Sequence, residues 1–396
     1  MRSQRWSRPV LPENWRVAGF GLYIHWPFCQ AKCPYCDFNS HVTKSVDQDR
    51  WRSAYLSEID RIGSLTPDRD LTSIYFGGGT PSLMSPDLVA EILAAAQKKW
   101  RWRNDIEITL EANPTSTEAG KLRAFSQAGV NRVSLGLQAL NDDDLRALGR
   151  LHSMQEGLAA LEAARSVFDR VNFDLIYARQ NQSRSDWKDE LNRALSFDPS
   201  HMSLYQLTIE PGTAFGDRFA LGKLKGLPVE EDSADMFFDT QEACSKAGLP
   251  AYEVSNHAKN GYQSQHNLIY WRGGDVVGLG PGAHGRFTVG TERWATETAL
   301  MPGKWLDLVD QNGSGETVTH VIDGADRSGE YLMMCLRLKE GVDLDRYSKM
   351  GGENFDERVV ETLLTEDLIQ IEGSTLRTTD KGAPLLNAIL RELLVT

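Results

Sequence analysis

Six short apolar runs recur along the first half of the chain, and segments with the period of helices separate them. The runs lead through Tyr23-Ile24 and then cover 71–76, 105–111, 131–138, 171–177 and 201–209; the helical segments lie at 47–62, 86–99, 117–128, within 142–167, and at 185–195. Strands that alternate with helices in this way pair in parallel through right-handed crossovers. The chain is therefore expected to be α/β, an incomplete TIM-like (β/α)6 barrel. From about residue 317 the pattern changes. Helices at 327–338, 344–349 and 356–366, a hairpin over 368–379 turning at Glu-Gly-Ser, and a last helix predict a small winged-helix-like domain. The expected division is a tail at 1–19, the barrel with its extension at 20–290, and the C-terminal domain at 291–396.

A barrel of this kind builds its site at the C-terminal ends of its strands. Glu111, Gln138 and Asp174 stand at or near such ends, and the run 71–76 stops in Gly77-Gly78-Gly79-Thr80-Pro81. Bare glycine backbone lets a ligand approach closely, and the spacing matches no phosphate loop. Each residue alone reads equally well as a helix cap or a turn. Their recurrence at equivalent strand ends favours a shared site.

Three of the five cysteines fall in Cys29-x3-Cys33-x2-Cys36, in the loop after the first strand. Thiolates hold iron–sulfur clusters, and a cubane takes one thiolate per iron, so three leave one iron open to an outside ligand. The same residues are compatible with a zinc site completed by His25 or His41, with a dithiol pair at Cys33-Pro34-Tyr35-Cys36, and with inert burial. Cys244 and Cys335 read as core residues, and this usage fits a reducing cytoplasm rather than a disulfide framework.

The formal charge of −12 and the lack of a basic block argue against nucleic acid as a partner. No apolar run reaches the roughly 18 residues of a membrane span, and residues 1–16 lack the apolar centre of a signal peptide. A second cluster of informative residues runs through Tyr252-Glu-Val-Ser-Asn-His257, His266-Asn267-Leu-Ile-Tyr270-Trp271 and Gly278-Leu-Gly-Pro-Gly-Ala-His284. Imidazole is a common ligand to haem iron and aromatic rings flank porphyrin faces, yet a lone histidine is more often a hydrogen-bonded structural residue.

The wording from Tyr23 through Cys29, Cys33 and Tyr35-Cys36-Asp-Phe38 resembles the signature of the radical S-adenosylmethionine (SAM) family. Within that family it is similar to the branch of oxygen-independent coproporphyrinogen III oxidases and HemW-type haem chaperones. The resemblance implies a [4Fe-4S] cluster on Cys29, Cys33 and Cys36, SAM on its open iron, and an electron donor for the cluster. It implies that Tyr23 lies near SAM, that Tyr35 packs beside the cluster, and that Gly78, Gly79 and Thr80 hold the SAM amino group. Glu111, Gln138, Arg150 and Asp174 match residues that contact one or two SAM molecules; carboxylates suit ribose hydroxyls and an arginine suits a carboxylate. His266-Asn267-x-x-Tyr270-Trp271 resembles the chaperones' haem-binding motif, which implies haem as ligand, His266 on its iron, and haem-accepting client proteins. The oxidases carry a fourth cysteine two residues after the third, where this chain has Phe38. Haem handling is thus expected over coproporphyrinogen decarboxylation, the alternative. In two places the chain departs from the family: Ala-Arg-Gln-Asn-Gln follows Tyr177 in place of Gly-Leu-Pro-Gly, and Gln265 stands in place of an arginine.

Overall fold

The computed structural model describes residues 14–43, 45–115 and 120–394. Its frame is an eleven-stranded sheet. In chain order the strands are β1 (Phe20–Trp26), β2 (Asp70–Gly78), β3 (Arg101–Ala112), β4 (Arg132–Gln138), β5 (Arg170–Tyr177), β6 (His201–Gln206), β7 (Asn256–Ala258), β8 (Asp275–Leu279), β9 (His284–Val289), β10 (Glu292–Thr298) and β11 (Glu316–Ile322). In space they run β11-β10-β9-β8-β1-β2-β3-β4-β5-β6-β7. β1 to β6 pair in parallel, as the alternation predicts, and β8 returns to lie parallel beside β1. β7 adds antiparallel at one edge and the β9–β11 meander at the other.

The helices α1 (Asn14–Ala18), α2 (Gln48–Leu65), α3 (Pro86–Lys99), α4 (Leu122–Ala128), α5 (Asp142–Ala147), α6 (Met154–Arg165) and α7 (Arg184–Leu195) follow. Their starts are set by local chemistry. Asp47 caps α2, Ser85 precedes a proline at the head of α3, and Ser153 with Glu156 and Ser183 with Asp186 form capping boxes on α6 and α7. Residues 117–119 of the helix expected at 117–128 lie outside the described residues. Outward-facing Leu22, Ile24, Ile74, Phe76, Leu110, Val133 and Leu135 form the main core with these helices, each contributing on the order of 2 kcal/mol.

Because strand side chains alternate, the same strands put Tyr75, Glu111, Asp174 and other polar groups on the concave face. Four further helices are α8 (Ala214–Ala220), α9 (Glu230–Lys246), α10 (Gln265–Trp271) and α11 (Pro302–Asn312). α10 packs against β1, β2 and β8, and α11 against α2, where Trp51 stacks on Trp305.

The C-terminal helices and hairpin are present as expected: α12 (Gly324–Cys335), α13 (Leu344–Lys349), α14 (Glu357–Thr365) and α15 (Leu386–Leu394), with β12 (Val342–Asp343), β13 (Ile369–Glu372) and β14 (Thr375–Thr378) in the order β12-β14-β13. They enclose a second core around Leu332, Val342, Leu363, Ile369, Leu376 and Ile389. The main sheet runs past residue 290 to Ile322. Its last strand is a largely exposed edge of Glu-Thr-Val-Thr-His, so composition loses its barrel character one strand before the second core begins. Among the described residues no helix is long and apolar enough to cross a membrane.

Candidate functional site

The cysteine loop leaves β1 at Trp26 and is closed by a two-residue parallel pairing of Phe28–Cys29 with His41–Val42. A turn brings the Cys36 N–H to the Cys33 carbonyl at 3.2 Å. Thr80 Oγ1 donates to Cys29 Sγ and Arg150 Nη1 to Cys33 Sγ, both at 3.4 Å, and the Phe38 N–H donates to Cys36. All three thiols are half-buried. Burial pushes Cys29 and Cys36 up, and the charge of the neighbouring cysteines adds to that, while these donors pull the other way. Among the described residues no three His, Cys, Asp or Glu side chains gather around a point that one metal ion would occupy. A cubane takes its thiolates at separate corners. Three adjacent half-buried thiols, two of them given side-chain donors, fit such a cationic group.

The glycine turn presses on this loop. The Gly79 N–H donates to the Trp26 carbonyl at 2.7 Å, and a Cβ at Gly79 would sit 2.8 Å from the Phe28 carbonyl oxygen. Gly78, at φ 110°, adopts a conformation that only glycine takes easily. Thr80 Oγ1 accepts from Asn113 Nδ2 at 3.0 Å, and Asn113 Oδ1 accepts from Arg150 Nη2 at 2.6 Å. Arg150 Nη2 also donates to the Gly136 carbonyl at 2.9 Å. Gln138, strained at φ 69°, lays its amide over Gly136, where a Cβ would come within 2.8 Å of it. Cys29, Thr80, Asn113, Arg150 and Cys33 therefore form one polar chain with Gln138 at its side. Tyr35 packs its ring near Phe215, with centroids 6.5 Å apart.

Glu111 and Asp174 share the concave face. Glu111 accepts from the Tyr75 hydroxyl at 2.7 Å and from the Gly78 N–H; Asp174 accepts from Asn172 Nδ2 at 2.7 Å. Loss of water pushes Glu111 up to about 7, with the nearby Asp174 charge adding to it, and burial raises Asp174 as well. Two carboxylates for hydroxyl or ammonium donors and one guanidinium for a carboxylate suit a zwitterionic ligand. Asn113, which joins both halves of this site, was not singled out by sequence reasoning; its position in Ala-Asn-Pro at the end of β3 was the available signal.

The haem-motif residues do not share one face. His266 is 3% exposed. Its N–H and the Ser264 hydroxyl donate to Glu107, both at 3.2 Å, and Arg170 Nη2 donates to the same carboxylate at 3.2 Å. Its ring stacks on Tyr75 at 4.9 Å and lies 5.4 Å from Tyr270 and 6.2 Å from Tyr23. Nδ1 shares a 2.8 Å hydrogen bond with Ser73 Oγ, and Nε2 has no hydrogen-bond partner among the described residues. Burial, with Arg132 nearby, lowers its pKa to about 3, so the ring is neutral. In the tautomer where Nδ1–H donates to Ser73, Nε2 carries the lone pair a metal needs.

Tyr23 turns its hydroxyl to His25 Nδ1 at 3.0 Å, while His25 Nε2 donates to the Asn39 carbonyl at 2.9 Å. Trp271 faces the C-terminal domain, with Arg337 4.5 Å above its ring and its carbonyl accepting from Cys335 Sγ at 3.0 Å. Asn267 is half-buried, its N–H on the Ser264 cap at 3.3 Å. In the departing loop after Tyr177, Arg179 turns away to the helices and pairs with Asp144 and Glu190, each at 2.6 Å.

The family model of the radical SAM superfamily matches residues 23–194, and that of the HemN C-terminal domain residues 322–385. Heme chaperone HemW of Escherichia coli is 35% identical, over 95% of this chain and 98% of that protein. Radical S-adenosyl methionine domain-containing protein 1, mitochondrial, of Mus musculus is 37% identical, over 98% of this chain and 90% of that one. Among solved structures, coproporphyrinogen III oxidase HemN from E. coli superposes with a TM-score of 0.80 at 21% identity, covering 95% of this chain and 90% of the other, a likeness of fold. With its cysteine loop, glycine turn and strand-end residues all inside the first matched segment, this chain belongs to the radical SAM family.

Proposed function

We propose that this chain is a haem chaperone that binds a [4Fe-4S] cluster, SAM and haem and passes haem to client proteins. The observation that carries the reading is the near full-length likeness to Heme chaperone HemW. Phe38, exposed where a further thiolate would stand, supports it over porphyrinogen oxidation. Cys29, Cys33 and Cys36 would hold the cluster, which when bound is a one-electron source beside SAM and needs an electron donor. Thr80 and the glycine turn would hold the SAM amino group, Arg150 and Gln138 its carboxylate end, and Glu111 and Asp174 its hydroxyls. Thiols that must stay reduced suit a reducing compartment, which we take to be the cytoplasm.

His266 would supply the haem iron with its unbonded Nε2. Since that atom is enclosed, haem reaches it only if α10 moves off the concave face. Anaerobic haem titration of the cluster-loaded protein, followed through the Soret band, is expected to show stoichiometric binding in the wild type. His266→Ala should weaken the binding or shift the band. No binding in the wild type would sink the chaperone reading; identical spectra would remove His266 as ligand.

A further inference from the structure

The turn Gly280-Pro281-Gly282 after β8 has no part in the site as proposed, yet it grips the cysteine loop. Asn39, three residues past Cys36, donates from Nδ2 to the Pro281 carbonyl at 2.9 Å and to the Leu300 carbonyl at 2.8 Å. Its Oδ1 lies 3.1 Å from His41 Nε2, and its own carbonyl accepts from His25 Nε2. Gly282, at φ 78°, leaves the room this requires, since a Cβ there would come within 2.5 Å of Asn39 Nδ2. On the far side of Ser40, the His41 N–H donates to the Pro27 carbonyl at 2.7 Å, and His41 pairs with Phe28 beside Cys29. Ser40 is thus held from both flanks.

Ser40 itself is 7% exposed, and its Oγ meets no nitrogen or oxygen partner among the described residues. It faces sulfur instead: the hydroxyl favours the thiolates of both Cys29 and Cys36. A buried hydroxyl left without a partner is costly, and native structures seldom keep one. Thr80 serves Cys29 and Arg150 serves Cys33, whereas Ser40 is placed to serve two thiols at once. We infer that Ser40 is a cluster-tuning residue, its hydroxyl donating to the sulfurs on the Cys29 and Cys36 side of the cluster. The inference rests on the [4Fe-4S] reading of the three cysteines and deepens it. A hydrogen bond to a cluster sulfur steadies the added negative charge of the reduced state and so raises the potential. The Gly-Pro-Gly turn thereby gains a role, because through Asn39 it fixes where Ser40 stands.

The test is an anaerobic redox titration of the full, cluster-reconstituted chain without SAM or haem, followed by EPR of the reduced cluster, in wild type, Ser40→Ala and Ser40→Thr. Loss of the hydroxyl is expected to disfavour the reduced state roughly ten-fold, a midpoint about 59 mV more negative for a one-electron couple. Ser40→Thr keeps a hydroxyl and should titrate with the wild type. In heavy water, deuterium coupling to the reduced cluster, read by pulsed EPR, should fall in Ser40→Ala and persist in Ser40→Thr. Equal midpoints in wild type and Ser40→Ala, or a threonine variant shifted as far as the alanine one, overturn the role of Ser40 and leave the cluster reading standing. Should Ser40→Ala take up no cluster, Ser40→Thr decides: loaded and at the wild-type midpoint it upholds the hydroxyl, and unloaded or shifted it overturns it. A wild type that takes up no cubane overturns the cluster reading and this inference with it.

Discussion

At Glu111 the loss of water outweighs two hydrogen bonds, which is why its carboxyl titrates near 7 rather than near 4.5. Between those values the folded chain keeps a proton that the unfolded chain has released, so this residue makes stability fall as pH rises through that window. In denaturant titrations without SAM, Glu111→Gln is expected to remove that loss. The difference in unfolding free energy between variant and wild type should grow by about 2 kcal/mol from pH 5 to pH 8. Parallel pH profiles would show that the carboxyl is solvated. Glu111 itself was legible in the sequence, because a charged residue closing an apolar run at a strand end is a local pattern. Asn113 was not: its importance comes from Thr80 on one side and Arg150 on the other, 33 and 37 residues away.

Elements were legible in proportion to how local their signals are. The six strand–helix units follow from periodicity and caps within single segments. β8 to β11 do not, because β8 pairs with a strand more than 250 residues earlier and its Gly-rich surroundings carry no strand pattern. α10 spans only seven residues, too few for its sequence to tell which face His266 would take. The departing loop after Tyr177 shows how an unfamiliar sequence is fixed. Arg179, 3% exposed, ties the loop to α5 through Asp144 and to α7 through Glu190. Arg179→Met would leave Glu190 buried without its partner and is expected to cost about 3 kcal/mol in stability. Chemical denaturation measures this, and a loss below about 1 kcal/mol, the level of an exposed ion pair, would refute the anchoring role.

For the whole molecule, the two cores meet through α10. Arg346 Nη1 donates to the Arg272 carbonyl at 2.7 Å and Cys335 to that of Trp271, while Glu107 grips the other end of the same helix. Leu376→Ala, in the second core and fully buried, should destabilise that core by about 3 kcal/mol. Hydrogen exchange should then rise across 323–394 and also in α10, while β1 to β6 stay protected. Unchanged protection in α10 would mean that its hold on the C-terminal domain is weak. The place of β8 beside β1 also has a meaning in time. During synthesis at roughly 5–20 residues per second, the free edge of β1 waits roughly 10 to 50 s for its partner to be made. Until Leu279 has emerged, the strand from which the cysteine loop springs is paired on one side only. The cysteine loop therefore reaches its final setting late in the life of the nascent chain, and a cluster held there as proposed would be delivered after translation rather than during it.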